Sequence, residues 1–134
     1  MLVSACLAGF PCRYDGKAKP CSEVVELVRA GKAVPVCPEQ LGGLPTPRPP
    51  CEIFQGRVID ANGDDCTDNY RRGAEAVLAM AKAYGVTEAR LQKRSPSCGS
   101  GWIYDGTFSK VLVPGDGITA RLLRENGIQV IGID

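Results

Sequence analysis

Short apolar runs closed by Gly or Pro alternate along this chain with stretches of helical spacing. Leu2 to Leu7 reads as a buried strand ending at Gly9, followed by a polar turn over residues 11–20 that contains Asp15-Gly16. Ser22 is placed to cap a helix with Glu23 in its first turn and Val24, Leu27 and Val28 on its apolar face; Gly31 falls just past its end. Ala33 to Cys37 is a second buried strand. Residues 38–52 hold five prolines and two glycines and read as loop. Ile53 to Ile59 alternates weakly, as an excursion strand turned by Asn62-Gly63.

Thr67 stands where a cap belongs for the longest helix, with Asp68 near its positive end. Ala74, Val77, Leu78, Ala81 and Tyr84 keep the helical period, and Gly85 ends it. Glu88 to Gln92 is a third strand. It runs into KRSPSCGSG and a Trp-Ile-Tyr-Asp-Gly segment. Asp116 is the expected cap of a last helix carrying Ile118, Leu122 and Leu123, with Gly127 at its end and Ile128 to Ile131 as the final strand. The alternation predicts an α/β fold: a three-layer αβα sandwich around a mostly parallel, Rossmann-like sheet of about four to five strands. Ligands of such sheets bind beyond the carboxyl ends of the strands. Cys6, Cys37 and the loop from Ser95 to Cys98 all fall at such ends.

Length and composition narrow the class further. A chain of 134 residues with no repeat, low-complexity tract or linker is expected to form one domain over 1–134. Sixteen basic and fifteen acidic residues leave a net charge of +1, which argues against a nucleic-acid backbone binder and suits small, nearly neutral partners. No apolar run approaches the ~18 residues of a membrane span. Val3-Ser4-Ala5-Cys6 mimics a lipoprotein cleavage box, but five uncharged residues before Cys6 do not make an export signal. The expected location is therefore the cytoplasm, where cysteines stay reduced.

Seven cysteines and no histidine leave several chemistries open. Cysteine can simply pack as a small hydrophobe, the reading adopted for Cys21, Cys51 and Cys66. Zinc sites favour close Cys pairs and often His. The chain has neither a C-x-x-C nor a His, which also disfavours a thioredoxin-like redox pair. An iron–sulfur cluster remains, because its thiolate ligands can be distant in sequence. Three ligands instead of four would leave one iron open to substrate. With no His, proton transfer must fall to other side chains. Glu39, two residues after Cys37 in a stiff turn, is the leading candidate for a catalytic carboxylate.

The runs VSACLAGFPCRYDG, VPVCPEQLGGLPTPRPP, KRSPSCGSG, YDGTF and GDGITARLLRENGI, in this order over nearly the whole chain, resemble a bacterial and archaeal family. It was long annotated only as a domain of unknown function, and its characterised members are thiouracil desulfidases. The resemblance implies an α/β fold and a [4Fe-4S] cluster held by Cys6, Cys37 and Cys98. It implies exchange of the sulfur of a thiolated pyrimidine for oxygen without net redox, with Glu39 and Ser95 acting at the reaction centre. Ser97, with Gly99 to Gly101, is expected to offer donors to the cluster or the ring carbonyl. Arg48 is expected to contact an anionic substrate group, and Tyr14 or Trp102 to stack on a heterocycle.

Cys12 stays open as a resting-state ligand, a sulfur acceptor or a bystander, and Cys51 and Cys66 depart from the family's usual residues. The expected partner is a small thiolated pyrimidine base or nucleoside, with tRNA less favoured and no membrane. Alternatives are cluster-dependent sulfur transfer or thiolation, and a non-enzymatic cluster- or metal-binding module. The sequence leaves the oligomeric state open.

Overall fold

The computed structural model describes residues 1–133. The strands are β1 (Leu2–Ser4), β2 (Val34–Val36), β3 (Cys51–Phe54), β4 (Arg57–Asp60), β5 (Glu88–Gln92), β6 (Trp102–Tyr104), β7 (Leu112–Pro114) and β8 (Gln129–Ile133). The helices are α1 (Ser22–Arg29), α2 (Pro38–Leu41), α3 (Thr67–Ala83) and α4 (Ile118–Glu125), with a 3-10 turn at Ala5–Ala8. Four strands form one parallel sheet in the order β2-β1-β5-β8. Parallel strands covered on both faces are predominantly apolar, with alternate residues serving opposite layers; in β5, Glu88, Arg90 and Gln92 alternate with buried Ala89 and Leu91. Leu2, Ala89, Leu91 and Val130 pack with Val77, Ala81 and Leu123 of α3 and α4. Val3 faces the other way, against Val24 of α1 and Leu7. The three-layer sandwich read from the sequence is thus the observed architecture.

The strand order creates the site. From β1 the chain crosses to β2 on one side, whereas β5 lies on the other side of β1 and leads outward to β8. The order reverses between β1 and β5, and a crevice opens at such a switch point beyond the strands' carboxyl ends. Cys6 follows β1 and the SPSCG loop follows β5. Cys37 directly follows β2, the other neighbour of β1.

Several local expectations shift. β1 stops at Ser4, and Cys6 sits in the 3-10 turn, which Gly9 closes at φ 99°. Pro38 begins a one-turn helix inside the proline-rich segment; its missing N–H costs nothing at that position. The excursion is a hairpin of β3 and β4, turned at Gln55-Gly56, where both φ values are positive (50° and 75°). Asn62-Gly63 instead makes the following turn, where Asp60 Oδ1 accepts from the N–H groups of Asn62 and Asp64.

Ser22 and Thr67 are the first helical residues, not caps, with Cys21 and Cys66 preceding them. The Thr67 hydroxyl accepts from Val58 N–H in the interior. Gly117, not Asp116, occupies the cap position of α4; Asp116 binds Gly101 N–H and Arg124 instead. The Trp-Ile-Tyr segment pairs with Leu112–Pro114 as a second hairpin. Glu52 fastens the loop of this hairpin by accepting from Gly106 and Phe108 N–H.

α2 and α3 touch through glycines. A Cβ on Gly42 would lie 2.0 Å from Asn69 O, and one on Gly73 would lie 1.9 Å from Pro38 O. This backbone contact carries the residues of α2 onto the face of α3. Among the described residues, no helix is long and apolar enough to cross a membrane.

Candidate functional site

A cavity of about 460 Å³ occupies the switch-point crevice and the ground beneath the two hairpins. Cys6, Cys12, Cys37 and Cys98 all line it, together with Glu39 and Ser95. The three motif cysteines therefore meet, although they come from three separate segments. Cys6 and Cys98 are buried, and Cys37 is half-buried. All seven cysteines are free thiols.

Each thiol is held by named neighbours. Cys6 Sγ donates to Gln92 Oε1 at 3.0 Å. Cys37 Sγ donates to the carbonyl of Cys12 at 3.8 Å. Cys98 N–H is bound by Ser95 Oγ at 3.1 Å. Burial, then the charges of Glu39 and Cys37, push the Cys98 thiol up to about 12 against hydroxyl donors that pull it down. Contact with Cys12 and then burial raise Cys37. At Cys12 the contact with Cys37 favours the thiolate, but contact with Cys6, burial and the charge of Cys6 outweigh it, reaching about 11. Thiols crowded in this way resist ionising together. A bound cation reverses that logic by stabilising every thiolate it touches.

The donor set fits an iron–sulfur cluster. It consists of sulfur ligands without imidazole, lining one cavity. Among the described residues, no three Cys, Asp or Glu side chains converge closely enough to hold a single metal ion. A polynuclear group suits such a thiol set, because each of its irons can take its own thiolate.

Glu39 lies in the first turn of α2 and is clamped at both oxygens. Oε2 accepts from Arg48 Nε at 2.9 Å and also from Nη2. Oε1 accepts from the Tyr70 hydroxyl at 2.9 Å. The remaining Arg48 donors reach Pro45 O, Thr46 Oγ1 and Cys12 O. All five N–H groups of the guanidinium are thus taken by the protein. Arg48, expected to meet an anionic substrate group, instead orients Glu39 and the Cys12 carbonyl. Burial opposes its charge, but the Glu39 carboxylate outweighs burial and raises its pKa. Burial, and then Glu39, also hold Tyr70 well above the ordinary phenol value, so it remains a neutral donor.

Ser95 Oγ accepts from the N–H groups of Ser97 and Cys98, each at 3.1 Å. These contacts use oxygen lone pairs and leave the O–H to donate into the cavity that Ser95 lines. Ser97, expected to reach the ring carbonyl or the cluster, is 1% exposed, and its hydroxyl bonds Thr119 Oγ1 at 2.7 Å. It nonetheless lines the cavity beside Cys98. Tyr14 lines the cavity with a half-exposed ring, whereas Trp102 stands outside the lining. The sequence reading missed Tyr70 and Gln92. A tyrosine on an amphipathic helix looks like core, and a glutamine at a strand end has no signature.

An α/β sheet whose switch-point crevice gathers thiols beside a clamped carboxylate defines a protein built to hold a thiophilic metal group. Comparison with known proteins agrees. The family model for 2-thiouracil desulfurase matches residues 1–134. Uncharacterized protein YbbK of Bacillus subtilis (strain 168) is 44% identical over 141 residues, covering 98% of this chain and 93% of that protein. The solved structure of a [4Fe-4S]-dependent thiouracil desulfidase, TudS, matches with a TM-score of 0.94 at 47% identity, over 98% of this chain and 89% of its own. The chain belongs to the 2-thiouracil desulfurase family.

Proposed function

We propose that this protein is a [4Fe-4S]-dependent desulfidase that replaces the thiocarbonyl sulfur of a thiouracil-type base or nucleoside with oxygen, working in the reducing cytoplasm. The observation that carries this reading is the meeting of Cys6, Cys37 and Cys98 in one cavity with Glu39. Cys6, Cys37 and Cys98 would hold the cluster. When bound, it would supply Lewis-acid polarisation of the C–S bond.

The chain's own groups do the rest. Glu39 accepts a proton from the attacking water at Oε1, since Oε2 is filled by Arg48. Ser95 orients that water or the ring through its free O–H. The cavity walls hold the ring and limit bulk water, which strengthens each polar contact inside. One water enters and one hydrosulfide leaves: one proton of that water departs on the sulfur and the other passes through Glu39 to solvent. No electron is transferred overall.

Anaerobic reconstitution followed by incubation with 2-thiouracil tests the reading. The expected result is bound iron and sulfide at cluster stoichiometry, loss of the thione absorbance and release of hydrosulfide. Serine at Cys6, Cys37 or Cys98 should abolish both cluster and turnover. A reconstituted protein that binds no iron, or a triple variant that still turns over, overturns it.

A further inference from the structure

We propose that Tyr70 is the positioning residue that selects the working lone pair of Glu39, an inference that rests on the desulfidase reading above. Tyr70 lies one turn into α3, is 2% exposed and lines the cavity. Its hydroxyl donates to Glu39 Oε1 at 2.9 Å. A carboxylate offers about four acceptor directions. Arg48 Nε and Nη2 fill both directions on Oε2, and Tyr70 fills one on Oε1. One lone pair is left, and proton exchange is confined to it.

The clamp is assembled from distant parts of the chain. Arg48 approaches from the proline-rich loop, nine residues from Glu39, and Tyr70 from 31 residues away on α3. The glycine contact between α2 and α3 sets how closely the second arm can approach. Without the hydroxyl, the carboxylate can pivot about its bonds to Arg48, and the free lone pair is no longer aimed. Transfer geometry is the quantity that suffers, because a general base acts only within hydrogen-bond reach of its proton. Substrate binding does not depend on it.

The experiment compares wild type with Tyr70→Phe, which keeps the buried ring and removes one oxygen. The variant should reconstitute with the same iron and sulfide content, and its KM for 2-thiouracil should stay within about twofold. Its kcat should fall about tenfold, the effect of losing one hydrogen bond to a charged group. An unchanged kcat overturns the proposal, as does a KM that rises in step with a lost melting temperature, the pattern of a merely structural tyrosine.

A second measurement needs neither cluster nor substrate. The Glu39 carboxylate stretch, isolated by infrared difference against Glu39→Gln, should shift in Tyr70→Phe, and an unshifted band overturns the contact. Wild type that carries the cluster yet leaves 2-thiouracil intact defeats the desulfidase reading and with it Tyr70's role in turnover. The band then reports separately whether the clamp itself exists.

Discussion

The thiol of Cys6 donates to the side-chain carbonyl of Gln92 at 3.0 Å, across 86 positions of sequence. Gln92 ends β5, and its own N–H is bound by Ser4 Oγ at the end of β1. The two central strands of the sheet are therefore tied where the crevice opens, and Cys6 is aimed by the knot. Once Cys6 ionises it can only accept, so the amide must turn and present its NH₂ group to the sulfur. Partners of this kind fix a ligand's orientation, and losing one typically costs about 10- to 100-fold in metal affinity. Gln92→Leu should release iron to a chelator about tenfold faster than wild type after anaerobic reconstitution. Equal release rates would show that the amide does not support the ligand.

Arg48 and Glu39 form an ion pair whose side chains are only 3% and 13% exposed. Removing one partner of a buried pair leaves an uncompensated charge and costs roughly 3–5 kcal/mol. Arg48→Met should lower stability to chemical denaturation by about that amount and leave Glu39 unaimed, with turnover reduced by at least about tenfold. The double variant Glu39→Gln, Arg48→Met removes both charges. It should regain much of the stability while staying inactive, which separates the folding role of the pair from its chemical one. Stability that fails to return in the double variant would mean that the bonds of Arg48 to Cys12 O and Pro45 O matter more than the ion pair.

The parts of this site legible in the sequence are those whose chemistry is tied to a local signature. A Pro after Cys37, a Gly after Cys98 and a Leu-Ala step to Gly9 after Cys6 marked these three cysteines at strand ends, and β5 spans the five residues read as a strand. The clamp around Glu39 was not legible because it depends on contacts at long sequence separation. Nothing near Tyr70 distinguishes a core tyrosine from one that donates to a carboxylate. Nothing near Arg48 says that five protein acceptors await it. α2 was hidden because one turn of helix carries no periodicity, and five prolines in fifteen residues outweigh it. Ser22 and Thr67 are each one position inside their helices, since the residue before each takes the cap position without a side-chain bond.

Gly73 tests how α2 is held. Its φ is ordinary for a helix, so backbone freedom is not the reason for glycine. Space is: an added Cβ would meet Pro38 O at 1.9 Å and Gly42 N at 3.3 Å, both backbone atoms that cannot swing aside. Overpacking of this kind costs typically 1–3 kcal/mol and occasionally more. Gly73→Ala should melt roughly 5–10 °C below wild type. It should also push α2 outward, breaking the bond from Tyr70 to Glu39. Activity measured well below the melting transition should therefore fall as well. A variant that melts early but turns over normally when folded would show that α2 can shift without moving Glu39.

Asp65 gives a pH dependence with a definite sign. It precedes α3, where Oδ1 accepts from Thr67 N–H and Oδ2 pairs with Arg57, each at 2.9 Å. The Thr67 hydroxyl and N–H, and then Arg57, hold its carboxyl down from 3.8 to about 2. A pKa depressed on folding means that the unfolded chain takes up the proton first as acid is added. The contribution is therefore complete above pH 3.8 and is lost as pH falls through about 2. Asp65→Asn cannot ionise and lacks that contribution at every pH. The gap in urea midpoint between wild type and Asp65→Asn should be constant from neutral pH down to about 5, narrow steadily below 4, and close near 2. Added salt should shrink the gap only by the share of Arg57, because the bonds to Thr67 are local and need no distant charge. A gap that persists unchanged at pH 2 would mean that the two variants differ in packing and not in charge.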